Sequence, residues 1–344
     1  MKNILVTGGA GFIGSAFVRH MIETYADYKI VVVDKLTYAG NLDNLLPVKD
    51  SANYVFEEGD IADEATVKRL LESYDIDTIV NFAAESHVDR SILDPHAFIQ
   101  TDVVGTYMLL EQARKLGIER FHQVSTDEVY GTIDKGHFRE GDPLEPNSPY
   151  AASKAGGELM IRAYHQTYGM HTTVTRGSNT FGPYQYPEKL VPFFVTEAID
   201  DRPLPLYGDG MQVRDWLFVD DHAKGVDVIL HKGQAGEIYN LGGENERTNR
   251  EITDFILETL SKPQSLVRHV EDRAGHDRRY ALTNDKLRSE LGWDVETSFQ
   301  EAMRETIQWY VDNEWWWRKI KTGEYMEFYK KQYADRLEKA EQDS

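Results

Sequence analysis

The sequence predicts an α/β fold, a doubly wound parallel sheet with a smaller C-terminal α/β lobe for substrate, and three observations point to it. Short β-branched runs alternate with longer amphipathic stretches through the first half of the chain. Runs such as Ile30-Val31-Val32-Val33 show no polar alternation, as strands covered on both faces require. A glycine-rich turn, Gly8-Gly9-Ala10-Gly11-Phe12-Ile13-Gly14, joins the first run to the first amphipathic stretch. A β-α-β-α order of this kind builds a parallel sheet with helices on both faces.

In chain order, strands are expected at 2–7, 29–34, 53–57, 78–81, 120–125 and 172–175, with helices at 12–25, 64–73, 98–116 and 150–168. After about Arg176 the pattern changes. Residues 177–187 are rich in Gly, Pro and aromatics, and 202–210 carry two Pro and two Gly, which are loop signals. Residues 1–178, completed by parts of 211–242, are therefore assigned to the nucleotide-binding domain. Residues 179–210 and 243–317 form the second lobe, and 318–344 a helical tail that follows Trp315-Trp316-Trp317.

Composition narrows the partners. The 344 residues carry 58 acidic and 38 basic side chains, a formal charge of −20, which argues against nucleic acid or an anionic membrane as a general partner. With no Cys, disulfides, thiolate metal sites and Cys nucleophiles are excluded, and a reducing cytoplasm fits. No window approaches ~18 apolar residues, so no membrane span is expected. The opening residues run straight into a strand and do not read as a signal peptide.

The glycine turn suits a dinucleotide. Gly8 permits the tight turn, Gly11 lets backbone approach a pyrophosphate, and Gly14 allows close helix–strand packing. The helix N-terminus then favours the phosphate charge. Asp34 ends the second strand, where a carboxylate accepts hydrogen bonds from a ribose 2′-hydroxyl and repels a 2′-phosphate, so NAD is expected rather than NADP. Lys35, next in sequence, works against that preference. Asp60 and Ile61 follow the third strand and are placed to touch adenine; a plain turn carboxylate explains Asp60 equally well.

The chemistry gathers at two places. Tyr150-Ala-Ala-Ser-Lys154 sets a phenol and an ammonium four residues apart on one helix face. A neighbouring cation stabilises phenolate, so Lys154 is expected to lower the pKa of Tyr150 and make it a base. At the end of the fifth strand stands Ser125-Thr126-Asp127-Glu128-Val129-Tyr130-Gly131. Simple alcohol oxidation needs only the Tyr base; two further carboxyls suit β-elimination of water from a ketone.

These residues resemble the extended short-chain dehydrogenase/reductases, and within them the dehydratases of dTDP-linked sugars. The resemblance covers roughly residues 2–317. Its other segments are 81–91 (Asn-Phe-Ala-Ala-Glu-Ser-His-Val-Asp-Arg-Ser), 182–190, 212–216 and 272–277. It implies a Rossmann-type domain and a redox-neutral reaction on bound NAD, in which dTDP-glucose becomes dTDP-4-keto-6-deoxyglucose plus water. Tyr150 with Lys154 would take the 4-OH proton and Thr126 would hold the 4-oxygen. Glu128 would take the C5 proton and Asp127 protonate the departing 6-OH.

By the same resemblance Phe12, Ile13, Lys35, Thr37, Ile61, Phe82, Ala83, Ala84, Ser86, Thr101, Ser125 and Thr180 join the glycines, Asp34, Asp60, Tyr150 and Lys154 around the cofactor. Ser86, Thr126, Asn179, Lys189, Leu190, Pro205, Tyr207, Arg214, Asn249, Arg273 and His276 would bind substrate, with Arg214 and Arg273 clamping the diphosphate. His87 beside Glu85 is read as a positioning residue, with no metal expected. Three positions depart from the pattern: Gly177 where Cys is common, Thr180-Phe181 where Asn-Tyr is usual, and Ala274 where Pro is frequent. Thr180 is expected to weaken a hydrogen bond at the nicotinamide. A homodimer through the 98–116 and 150–168 helices is implied, using Tyr107, Leu110, Met160 and Tyr164, although core packing explains those positions as well. The rival readings are a 4-epimerase, a decarboxylase, a dehydratase of UDP- or GDP-sugars, and a non-catalytic NAD-binding regulator.

Overall fold

The computed structural model of the chain describes residues 1–272, 277–323, 325, 327, 333, 336 and 337. Its strands in chain order are β1 (Asn3–Thr7), β2 (Lys29–Asp34), β3 (Tyr54–Glu58), β4 (Thr78–Asn81), β5 (Arg120–Thr126), β6 (Thr172–Gly177), β7 (Asn179–Phe181), β8 (Leu204–Tyr207), β9 (Val213–Phe218), β10 (Ile238–Leu241), β11 (Glu246–Thr248) and β12 (Val267–Val270). Seven of them form one parallel sheet in the order β10-β6-β5-β4-β1-β2-β3. The order reverses between β1 and β4, so the crossovers there leave on opposite faces and a crevice opens at the strands' C-terminal ends. This is the Rossmann-type architecture expected.

Both faces of the sheet are covered. Ile4, Val6, Ile30 and Val32 pack toward the helices Phe12–Thr24 and Val219–Lys232. Leu5, Val31, Val33 and Ile79 meet the helices Glu64–Ser73 and Thr106–Leu116 on the other side. Alternate residues of each strand point to opposite faces, so double coverage is what removes polar alternation from the sequence.

The remaining strands build two small sheets. β9 lies between β7 and β11, and β8 pairs with β12. Within the 211–242 tract, the helix Val219–Lys232 and strand β10 complete the large sheet, whereas β9 pairs with β7. The tryptophan run divides by periodicity: Trp316 and Trp317 are buried, donating to Asn44 Oδ1 at 3.0 Å and Tyr310 O at 2.9 Å, and Trp315 is exposed.

The helix expected over 98–116 is not regular. A short turn, Pro95–Phe98, gives way to a π-helical stretch, Ile99–Gly105, before the α-helix Thr106–Leu116. Widened turns of this kind occur where function needs a side chain re-aimed, and here the segment carries Thr101 and Asp102. The main chain of Asp102 runs so close to the helix Pro149–Tyr168 that a Cβ on Gly157 would lie 2.7 Å from Asp102 O. Leu110 and Tyr164 turn into the chain's own core, while Tyr107 is exposed and Met160 half-buried.

Candidate active site

Gly8 has φ +64°, and a Cβ there would sit 2.6 Å from Ala83 N; at Gly14 a Cβ would meet Gly8 O at 2.3 Å. Only glycine lets the turn, β4's exit and the first helix approach this closely. That helix starts after Gly11 with no side-chain cap, so its leading N–H groups face the crevice. Asp34 Oδ2 accepts from Ala10 N at 3.0 Å and Oδ1 from Leu36 N at 2.9 Å, which fixes the carboxylate at the crevice wall. Lys35 Nζ pairs with Asp60 Oδ2 at 2.6 Å. The ammonium is thereby partly neutralised, a weak attractor for a 2′-phosphate. Asp60 also caps its own turn through Ala62 N at 2.9 Å.

A cavity of about 290 Å³ runs from this turn to the tip of β5. Phe12, Ile13, Thr37, Ile61, Phe82, Ala83, Ala84, Ser86, Thr101, Ser125 and Thr180 line it together with the glycines, Asp34, Lys35, Asp60, Tyr150 and Lys154. Thr126, Asp127 and Glu128 line its inner end. The fit to a dinucleotide rests on this shape and on buried polar atoms left over at that inner end, among them Ser125 Oγ and His222 Nε2.

Ser148 caps the helix Pro149–Tyr168, accepting from Ala151 N at 3.1 Å, and Pro149 opens it. Tyr150 and Lys154 thus face the sheet from the first turns. Their electrostatics differ from expectation. Burial, with the carboxylates of Glu128 and Asp102 nearby, pushes the Tyr150 phenol well above the ordinary tyrosine range. Lys154 Nζ donates to Val124 O at 2.8 Å, and burial lowers its own pKa against the pull of Asp102 and Glu158. The expected depression of Tyr150 by Lys154 is therefore absent from the protein alone, because burial and the neighbouring carboxylates set the direction. The nearby Thr126 hydroxyl is the contact that pulls the other way.

Asp127 and Glu128 open a 3₁₀ turn, Asp127–Tyr130, capped by Thr126, whose hydroxyl accepts from Glu128 N at 3.2 Å. Asp127 is 2% exposed and Glu128 half-buried. Burial, then the nearby Glu128 and Asp215, raise the Asp127 carboxyl well above the usual carboxylate range. Two adjacent carboxyls held in such different surroundings can divide the roles of acid and base.

A second cavity, of about 160 Å³, adjoins the first. Asn179 and Lys189 line both; Leu190, Pro205, Tyr207, Arg214 and Asn249 line the second. Arg214 stacks 4.5 Å over the Tyr280 ring and donates to Asp277 O at 2.9 Å. Arg273 and His276 lie outside the described residues. Among the described residues no cluster could hold a metal ion.

The GDP-mannose 4,6 dehydratase family pattern matches residues 5–306. The dTDP-glucose 4,6-dehydratase of Neisseria meningitidis serogroup B is 48% identical over 94% of this chain and 98% of its own. The chain belongs to the dTDP-glucose 4,6-dehydratase family. A crystal structure of the dTDP-glucose 4,6-dehydratase from Streptomyces venezuelae, solved with NAD and a second ligand bound, is similar at TM-score 0.90 and 51% identity, covering 93% of this chain and 100% of that one. The UDP-glucose 4-epimerase of Thermotoga maritima is similar at TM-score 0.85 and 30% identity over 91% of this chain and 99% of its own.

In this member of the family several site residues escape sequence reasoning. His222 lies in the cavity wall 42 residues past Thr180, its Nδ1 2.8 Å from Thr180 Oγ1, and burial holds its pKa down to about 3. Asp102 accepts from Ser153 Oγ at 2.6 Å, and its carboxyl is pushed up to about 6 by burial, which outweighs the pull of Lys154. Glu188 takes the Arg90 guanidinium, which itself stacks 3.8 Å from the Tyr38 ring. Arg90 lies inside the 81–91 segment, a signal that could have found the pair; His222 had none but its place after Asp220-Asp221.

Proposed function

We propose that this chain dehydrates dTDP-glucose to dTDP-4-keto-6-deoxyglucose on bound NAD. The observation that carries the reading is the pair Asp127–Glu128 at the tip of β5, one carboxyl buried and held toward its protonated form, in the same cavity as Tyr150. Oxidation alone or epimerisation gives such a pair no task.

NAD would be held by the Gly8–Gly14 turn and Asp34 and, when bound, would supply the hydride acceptor for C4 and the later donor to C6. The chain's residues move the protons. Tyr150, its own proton first lost to solvent, takes the 4-hydroxyl proton as phenolate; the positive nicotinamide of bound NAD would supply the charge that favours that form, and the resulting ketone acidifies the C5 hydrogen. Glu128 accepts that proton while Asp127 gives its own to the 6-hydroxyl, which leaves as water. Glu128 then returns its proton to C5. Asn179, Lys189, Leu190, Pro205, Tyr207, Arg214 and Asn249 would seat the nucleotide-sugar, which supports assigning 179–210 and 243–317 to substrate binding.

The family resemblance and the exposed Ile92, Leu93, Ile99, Tyr107 and Leu159 support a homodimer seated on that face; a dimeric mass in solution by light scattering would bear it out. Among the described residues no helix is long and apolar enough to cross a membrane, and a cytoplasmic place suits NAD and nucleotide-sugar pools. Purified protein given dTDP-glucose without reductant should yield an alkali-detectable 4-keto sugar, in preference to UDP- or GDP-glucose. A C4 epimer, or unchanged substrate with NAD bound, rejects the assignment.

A further inference from the structure

The two cavities share Glu128, Asn179, Glu188 and Lys189, so the second opens directly off the reacting end of the first. Arg214 lies in its wall, as do Pro205 and the aromatic rings of Phe193, Tyr207 and Tyr333, none of which lines the first cavity. Tyr333 comes from the C-terminal tail, far in sequence from every other lining residue. It is 8% exposed. Its ring stacks on Phe193 with centroids 5.2 Å apart and planes at 22°, and lies across Tyr207 at 6.2 Å and 33°. The Tyr333 and Tyr207 hydroxyls are hydrogen-bonded. Arg336, also from the tail, donates Nη1 to Tyr207 OH at 2.7 Å and holds its guanidinium 5.1 Å over that ring.

We propose that Tyr333 is a specificity-determining wall of the nucleobase subsite, presenting its aromatic face to the pyrimidine of the dTDP-sugar. The inference rests on the reading of the substrate given above. With the hexose at Glu128 and the diphosphate at Arg214, the base reaches the far end of the second cavity. A planar pyrimidine stacks on flat aromatic surface, and the rings there are Phe193, Tyr207 and Tyr333. Ring contact joins Tyr207 to Tyr333 and Arg336 ties down the Tyr207 hydroxyl, so Tyr333 and Arg336 complete the subsite.

The test uses the full chain and dTDP as the probe, with binding measured by titration calorimetry. Tyr333→Ala and Tyr333→Leu should each weaken dTDP by about tenfold, the loss of one stacking face, while Tyr333→Phe stays within about twofold. KM for dTDP-glucose should rise in parallel, with NAD content and melting temperature as in the parent. If Tyr333→Ala does not fold, Tyr333→Leu, which keeps bulk without an aromatic face, decides. Unchanged dTDP binding in Tyr333→Leu, beside normal turnover of dTDP-glucose by the parent, overturns this inference alone. Loss of NAD and of melting temperature in step with dTDP in the folded Leu variant also overturns it, since the tail would then be structural. A parent that binds dTDP and loses it in Tyr333→Leu, yet does not dehydrate dTDP-glucose, removes the proposed reaction and leaves the subsite.

Discussion

The imidazole of His222 occupies the volume that a side chain at Gly177 would fill: a Cβ there would lie 2.7 Å from His222 Cε1 and 3.2 Å from Nε2. Gly177 also stands in register with Thr126 on β5. Gly177 therefore makes room for a buried histidine bonded to Thr180. Gly177→Ala should displace the ring, break that bond, destabilise the fold by about 1–3 kcal/mol and lower the NAD that copurifies. Denaturant melts and absorbance of acid-released cofactor measure both.

Glu128→Gln should retain hydride transfer, seen as transient absorbance of reduced cofactor, and lose exchange of the C5 proton with deuterated solvent by about 10²-fold or more. Normal exchange would take Glu128 out of the role of base. Asp127→Asn should leave C5 exchange and slow water loss.

The raised pKa of Asp127 gives the pH dependence a sign. An acid must be protonated to act, and burial keeps this carboxyl protonated above the usual carboxylate range. The elimination rate should fall as pH rises through that raised value, and the alkaline limb should vanish in Asp127→Asn. A profile of kcat against pH for both proteins decides.

Arg176 donates to one oxygen of Glu158 at 2.7 and 2.9 Å, with both side chains 3% exposed. Its guanidinium lies 4.6 Å over the Tyr130 ring, at the end of the turn that begins with Asp127. Glu158→Leu leaves that cation buried without its counter-charge and should cost about 3–5 kcal/mol in urea melts, and the slackened turn should reduce elimination.

Asp227 ties the first helix to Val219–Lys232, meeting His20 Nε2 and His231 Nδ1 at 2.7 Å each. Burial pushes the Asp227 carboxyl up, but the hydrogen bonds of His20 and His231 prevail and bring it to about 2. A depressed carboxyl contributes stability above its unfolded pKa of ~3.9, lost as pH falls through about 2. His231 is raised overall, burial being overcome by Asp227; its share is complete below ~6.5 and lost as pH rises through the folded value. Asp227→Asn should therefore cost about 1.5–3 kcal/mol at pH 5.5 and less at pH 8.5, by urea melts at each pH.

Much of the site was legible because its signals are local. The Gly8–Gly14 spacing, the four-residue offset of Tyr150 and Lys154 and the acid pair at a strand end depend on backbone periods of a few residues. Each lies in the crevice. What was not legible involves partners far apart in the chain: His222 behind Gly177, Asp102 lifted by a π-helical stretch, and Tyr333 reaching back to Tyr207.

By itself the sequence determined the parallel sheet, the dinucleotide turn and which side chains could carry protons, since alternation and spacing are properties of neighbours. Only the tertiary structure decided their state. It aimed Lys154 at Val124, pushed Tyr150 up where a lowered pKa was expected, and turned Leu110 and Tyr164 into the chain's own core. Protonation and packing depend on the water removed and the charges gathered from all sides, and chain order does not record those distances.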